Sequence, residues 1–319
     1  MTGPDAIGAR QGGDATLLAA SDLRVDLGGA AVLDHVSFQS RGRSIAIVGD
    51  GHGVVASITG QARVRSGQLL LHGRDVSRRA HLGADRIGVA PLDPPLPDRL
   101  SARDYLSWGA RLAGIAPAQA RKLAASVLGS LDLERLSSSR LDGLPVPERR
   151  ALVIAQAVIT SPAVLVAITP LAGLSGQAAT YVERVLAAAT RDRSWIVSLS
   201  SIHAGSPEHA LATSADDLLV FASGALVRAG KLRRMEDETS SFSLMLRGHA
   251  AEFRAALEAR GVGFSGGPRR FFVDLPPGMT TEDLLALSAE VGAPIVELLP
   301  RLMLASTDPT LASSAGARS

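Results

Sequence analysis

Cysteine is missing from all 319 residues, which excludes a disulfide scaffold, a thiolate metal site and a cysteine nucleophile, and fits a reducing compartment such as the cytoplasm. Lysine is almost missing as well. Only Lys122 and Lys231 occur, so the positive charge is carried by arginine, which grips phosphate as a planar fork rather than as a point charge. Aromatic residues are 3% of the chain. Long apolar runs are also lacking. The most apolar stretch, AVLVAITPLAGL at 163–174, is shorter than a bilayer span and holds Pro170 in its middle. The opening MTGPDAIGARQGGDAT has no apolar signal core, and residues 1–17 read as a mobile leader.

What is present describes a folded chain large enough for two domains. Hydrophobic residues are 46%, charged residues 20% and the formal net charge is +2. That balance selects neither for nor against nucleic acid. Residues 18–40 alternate and turn like two antiparallel strands. Strand patterns follow at 45–48, 66–76 and from 85, the last running into the proline-rich PLDPPLPDRL. Residues 101–134 are helical, with Ser101 and Asp104 at capping-box spacing. A helix is expected after the loop at 144, a fully apolar strand at 163–168, a helix at 176–190 and strands at 194–200, 217–222 and 225–228. Strands alternating with helices predict an α/β body with a mostly parallel sheet. A polar linker, RRMEDETSS at 233–241, precedes a second pattern of β-α-β-β-α-β type. The expected division is leader 1–17, main domain 18–236, accessory domain 237–306 and loose tail 307–319.

One stretch raises a chemical question. IAIVGDGHGVVASITG at 45–60 has the layout of a phosphate-binding loop: strand, glycine cluster, helix start. Such a loop needs G-x-x-x-x-G-K-[ST]. Val54 stands at the lysine position and Val55 at the hydroxyl position, with Ser57 further on. Gly49, Gly51, Gly53 and Ser57 are therefore either a vestigial anion loop, whose backbone amides alone would hold phosphate weakly, or an ordinary tight turn. His52 reads as an exposed turn histidine. Asp216 and Asp217 read as a surface turn, and PERR at 147–150 as a solvated helix start.

The order of these segments resembles the ATP-binding subunit of ABC transporters, in the exporter branch whose cassettes carry a small C-terminal domain. DLGGAAVLDHVSFQSRGRSIAIVG is similar to the family's Y-G-x-x-x-A-L-D-x-V-S-F opening and first loop strand. SGQLLLHGRDV resembles S-G-x-x-x-x-x-G-x-D, and IGVAPLDPPLPDRLSARDYLSWGARLAGI the glutamine-loop region. SPAVLVAITPLAGL resembles D-P-x-L-L-L-L-D-E-P-T-A-G-L-D, and ELLPRLMLASTDPTLAS the closing P-S-L-E-D-V-F. The resemblance implies a P-loop NTPase-like α/β cassette with a mostly parallel sheet, an antiparallel β subdomain and a small α+β, ferredoxin-like C-terminal domain.

In that family Mg-ATP is handled by positioning and electrostatics, and the resemblance assigns each role to a position here. The adenine-stacking aromatic falls at Leu27, the lysine at Val54, the metal hydroxyl at Val55 and the glutamine at Leu92. The L-S-G-G-Q signature runs from Leu144 to Glu148 and contains two prolines, each lacking an amide donor. The metal aspartate falls at Ile168, the catalytic glutamate at Thr169, the next loop's aspartate at Ser175, and the sensor histidine at Ile202, beside His203. Each is a loss of charge or of a donor.

The expectation is a catalytically degenerate cassette, a structural or regulatory partner in a membrane exporter complex on the inner face of the membrane. No catalytic residue, metal site or firmly held cofactor is expected; ATP and magnesium would be bound weakly if at all. The implied partners are an integral membrane transporter subunit, met near Leu92, Pro94, Tyr105 and Trp108, and an active cassette or a second copy. Nucleic acid is not expected. Two other readings stay open: a functional ATP-hydrolysing exporter subunit, and a soluble scaffold or sensor outside transport.

Overall fold

The computed structural model describes residues 16–78, 87–237, 240–267, 270–276 and 278–300. Most of the expected leader, the whole expected tail and most of the closing family motif lie outside these residues. Contacts divide the chain into two units, the first ending at Gly230 and the second beginning at Lys231, with Ile202–Ser206 grouped with the second.

The first unit contains two sheets. An antiparallel sheet has the order β2-β1-β4-β5, from β1 (Leu18–Leu27), β2 (Ala30–Gln39), β4 (Arg63–Leu71) and β5 (Arg74–Asp75). The larger sheet has the order β10-β9-β3-β8-β7-β6, from β3 (Ser44–Gly49), β6 (Ile87–Ala90), β7 (Val164–Ile168), β8 (Ser194–Leu199), β9 (Asp217–Ala222) and β10 (Ala225–Gly230). Its strands are parallel except for β10. The central strands are apolar without alternation because elements cover both faces.

Helix α1 (His52–Thr59) follows β3. Its Val54, Val55 and Ile58 join one core cluster with Leu33 and Leu69 of the antiparallel sheet and Ile47 and Phe221 of the parallel one. The remaining helices of the unit are α2 (Ala102–Leu112), α3 (Pro117–Ser130), α4 (Val146–Val158), α5 (Gly176–Thr190) and α6 (Pro207–Ser214). Ser101 caps α2 by accepting from the Asp104 amide at 3.1 Å. Helix α6 has no counterpart among the sequence expectations.

Asp216 and Asp217 are not a surface turn. Asp217 is buried and accepts from the Arg41 amide at 2.7 Å, while Asp216 accepts from Arg43 N at 2.7 Å and from Ser44 Oγ at 2.8 Å. The pair staples the entry of β3 to the entry of β9.

The second unit begins with α7 (Leu232–Asp237), a helix where a linker was expected. Then come β11 (Ser241–Leu246), α8 (Ala250–Ala259), β12 (Gly263–Gly266), β13 (Arg270–Asp274), α9 (Thr281–Glu290) and β14 (Ile295–Pro300). The sheet order β12-β13-β11-β14 is antiparallel throughout, the split β-α-β arrangement. Phe253, Leu257, Phe271, Leu284 and Leu287 form its core. Thr280 and Asp283 close a reciprocal capping box on α9.

Candidate functional site

In open α/β sheets the carboxyl ends of the parallel strands are where ligands bind. Here that edge is formed by the turns after β3, β6, β7 and β8. The turn after β3 is short: Gly49 ends the strand and α1 begins at His52, so Asp50 and Gly51 alone connect them. Asp50 accepts from the Ser223 amide at 2.9 Å, and the Val54 amide donates to Gly51 O at 3.0 Å.

Each glycine of the cluster is crowded by the protein's own core. Gly49 has φ +79°, and a Cβ there would lie 2.1 Å from Phe221 O. At Gly51 it would meet Ile47 Cγ2 at 2.4 Å, and at Gly53 the side chains of Leu33 and Val32 at 2.8 and 2.9 Å. Packing therefore accounts for all three glycines without a ligand. Val54 and Val55 are 0% and 2% exposed. Ser57 is buried and its hydroxyl donates to Gly53 O at 2.8 Å, within the helix. His52 is the exposed residue of this segment.

Ile168 ends β7 and Thr169 follows with φ +41°, a left-handed backbone unusual for a β-branched residue. The Thr169 amide donates to Ser198 Oγ at 3.0 Å. A pocket of about 120 Å3 opens here, lined by Thr169, Ser200, Ser201 and Glu208 among others. Glu208 is its one charged lining group, and a carboxylate opposes an anionic phosphate. Sequence reasoning missed Glu208 because α6 was not foreseen; Ser206-Pro207-Glu208 was the available helix-start signal. Among the described residues no cluster of three metal-ligating side chains occurs.

The second residue missed is Arg150. PERR is not a solvated helix start: Arg150 is 7% exposed. Its Nε and Nη2 donate to the two carboxylate oxygens of Asp93 at 2.8 and 2.7 Å, and its Nη1 to the carbonyls of Pro170 and Ala172 at 3.2 and 2.6 Å. The guanidinium thus joins α4 to the turns after β6 and β7, and holds the Asp93 carboxyl below the ordinary carboxylate range.

The remaining predicted positions are scattered. Leu27 is half-buried at the tip of the β1–β2 hairpin. Leu144 precedes α4, whose first turn begins at Val146 after Pro145 and contains Pro147. Glu148 pairs with Arg135 at 2.5 Å, and Arg135 lies over the Tyr181 ring. Ser175 caps α5 without a side-chain hydrogen bond, Ile202 is buried and His203 exposed. Leu92 and Trp108 are exposed and Pro94 half-buried. Tyr105 is a correction: expected on a partner surface, it is 8% exposed and its hydroxyl pKa is raised by burial. Trp108, three residues on along the same helix, is 46% exposed.

No protein-family model matches the chain. Among curated proteins it is similar to the Nod factor export ATP-binding protein I of Paraburkholderia xenovorans (strain LB400), 29% identical over 161 residues, covering 49% of this chain and 53% of that protein. It is also similar to the linearmycin resistance ATP-binding protein LnrL of Bacillus subtilis (strain 168), 22% identical over 171 residues, covering 52% and 55%. The chain thus spans about half the length of the curated relatives it matches.

Among solved structures, cbiO1 from Clostridium perfringens, part of the ABC transporter complex cbiONQ, superposes with a TM-score of 0.60 at 20% identity, over 70% of this chain and 91% of that one. The ADP conformation of the ATP-binding cassette MJ1267 gives 0.56 at 20% identity, over 69% and 92%. By fold, then, the chain is similar to ATP-binding cassettes, and by sequence about half of it is similar to the ATP-binding proteins of ABC transporters.

Proposed function

We propose that the chain is a catalytically degenerate cassette: a subunit that keeps the ABC fold as a structural or regulatory partner of a membrane exporter complex. The observation that carries this reading is the turn after β3. It is two residues long, Gly49 is closed by the Phe221 carbonyl and Gly51 and Gly53 by core side chains, and Val54 and Val55 are buried in the core. Residues 49–60 contain no lysine or arginine, so a phosphate brought there would lose hydration without a cation from this segment to compensate. The prolines at 145 and 147 support the same reading at the signature position.

In this reading the partner is an integral membrane subunit, joined by an active cassette or a second copy, and the chain sits at the inner face of the membrane. Among the described residues no helix is long and apolar enough to cross a membrane. The main domain is taken as 18–236 and the accessory domain as 237–306. The test is steady-state ATP hydrolysis by the purified chain with magnesium. The expected rate is indistinguishable from the buffer blank; turnover that substitutions within 49–57 abolish would overturn the proposal.

One observation favours a second reading. Glu208 brings a carboxylate to the pocket beside Thr169, where the resemblance puts the catalytic glutamate. A working ATPase built this way would lose its turnover in Glu208→Gln.

A further inference from the structure

The first unit holds a cavity of about 250 Å3 away from the strand-end turns, between α5, β8 and α6. Its lining includes Leu186, Val197, Leu211 and Trp195, with Glu183 and Arg191. Trp195 is 8% exposed, so its indole is fixed in the core with one part open to the cavity. The Trp195 backbone amide donates to Arg43 O at 3.0 Å, but among the described residues its indole N–H and the Glu183 carboxyl have no hydrogen-bond or ion-pair partner.

The lone carboxylate is the informative feature. Glu183 sits on α5 beside the buried Val182 and in the same turn as the buried Val185 and Leu186, while the next residue, Arg184, is exposed. Solubility is served by Arg184 and does not require a charge at 183. Burial alone pushes the Glu183 carboxyl above its ordinary pKa, the signature of an ionised group losing water without gaining a partner. A fold that leaves such a group beside an aromatic wall has the two elements that recognise an organic ammonium: an anion to pair with the charge, and an indole whose face and edge accept an apolar, cationic body. Arg191, an exposed residue, lines the same cavity.

We propose that this cavity is a binding site for a small amphipathic amine, with its ammonium on Glu183 and its apolar body against Trp195, Val197, Leu186 and Leu211. Its volume suits a ligand of roughly ten heavy atoms, below the range of drug-sized pockets. The site is independent of nucleotide handling and stands or falls separately from the function proposed above.

The test uses 2-phenylethylamine as the probe. Trp108→Phe removes the other indole, which is exposed, and leaves Trp195 as the sole tryptophan reporter. Saturable change of Trp195 emission at millimolar amine or below, matched by calorimetric heat, is the expected result. Glu183→Gln, which keeps the shape, should weaken binding about tenfold or more, and the neutral 2-phenylethanol should bind the parent chain weaker by a similar factor. No saturable signal in either measurement would overturn the proposal, as would equal affinity in Glu183→Gln or equal affinity for the alcohol.

Discussion

A methyl group added at Gly49 would collide with the carbonyl oxygen of Phe221, and the backbone there is left-handed. At Gly28 the backbone is also left-handed, but nothing lies within 4 Å of the added carbon. The two positions separate the cost of conformation from the cost of packing. Gly28→Ala should lower stability by about 1 kcal/mol, and Gly49→Ala by about 3 kcal/mol, the conformational cost plus forced movement of β9. Denaturant midpoints measure both. Equal, small losses would mean that the strand-end turn is loose enough to remodel around a ligand. The glycine cluster was visible in the sequence; its reason was not. Phe221 and Leu33, the groups that crowd it, lie far away in the chain, and only the fold brings them to residues 49–53.

Elements of the buried sheet were legible because their composition is extreme. VLVAI and SWIVSL admit few conformations other than strands covered on both faces. Helices α2 and α9 announced their starts through Ser101–Asp104 and Thr280–Asp283, spacings that are local and therefore readable. Helix α6 is eight residues long and buries little beyond Leu211 and Ala212, too weak a periodicity to find. Arg150 was read as a solvated charge because its partners are 57, 20 and 22 residues away.

That clamp ties three elements, and its loss should act at that scale. Arg150→Met leaves the Asp93 carboxylate and two carbonyls without their donor and should cost about 3 kcal/mol, with faster hydrogen exchange in the turns after β6 and β7. The pH dependence has a definite sign. Because Arg150 lowers the folded-state pKa of Asp93, the stabilisation is present above the unfolded value and fades as pH falls through the folded one. The stability gap between the parent chain and Asp93→Asn should therefore narrow below about pH 4. A gap that is constant into acid would mean that the carboxylate charge contributes nothing.

At the scale of the whole molecule the fold is that of a cassette, and within it Val54 and Val55 are buried and Glu148 is paired with Arg135. The alternation of strands and helices, the helix after β3 and the β-α-β-β-α-β unit follow from patterns of apolar residues, whereas the strand order depends on contacts between distant segments. The chemistry depends on single side chains at turn positions, and there the sequence offered identities without geometry. The geometry adds that Val54 faces the core, that Ser57 is spent on its own helix and that Glu148 is held by Arg135.

Calorimetric titration of ATP into the purified full chain, with and without magnesium, tests the central claim most directly. A degenerate cassette with a two-residue turn after β3 should give no saturable heat up to millimolar nucleotide in either condition. Magnesium-dependent, saturable binding would contradict the account, because the turn after β3 and helix α1 contain no lysine or arginine to hold a phosphate.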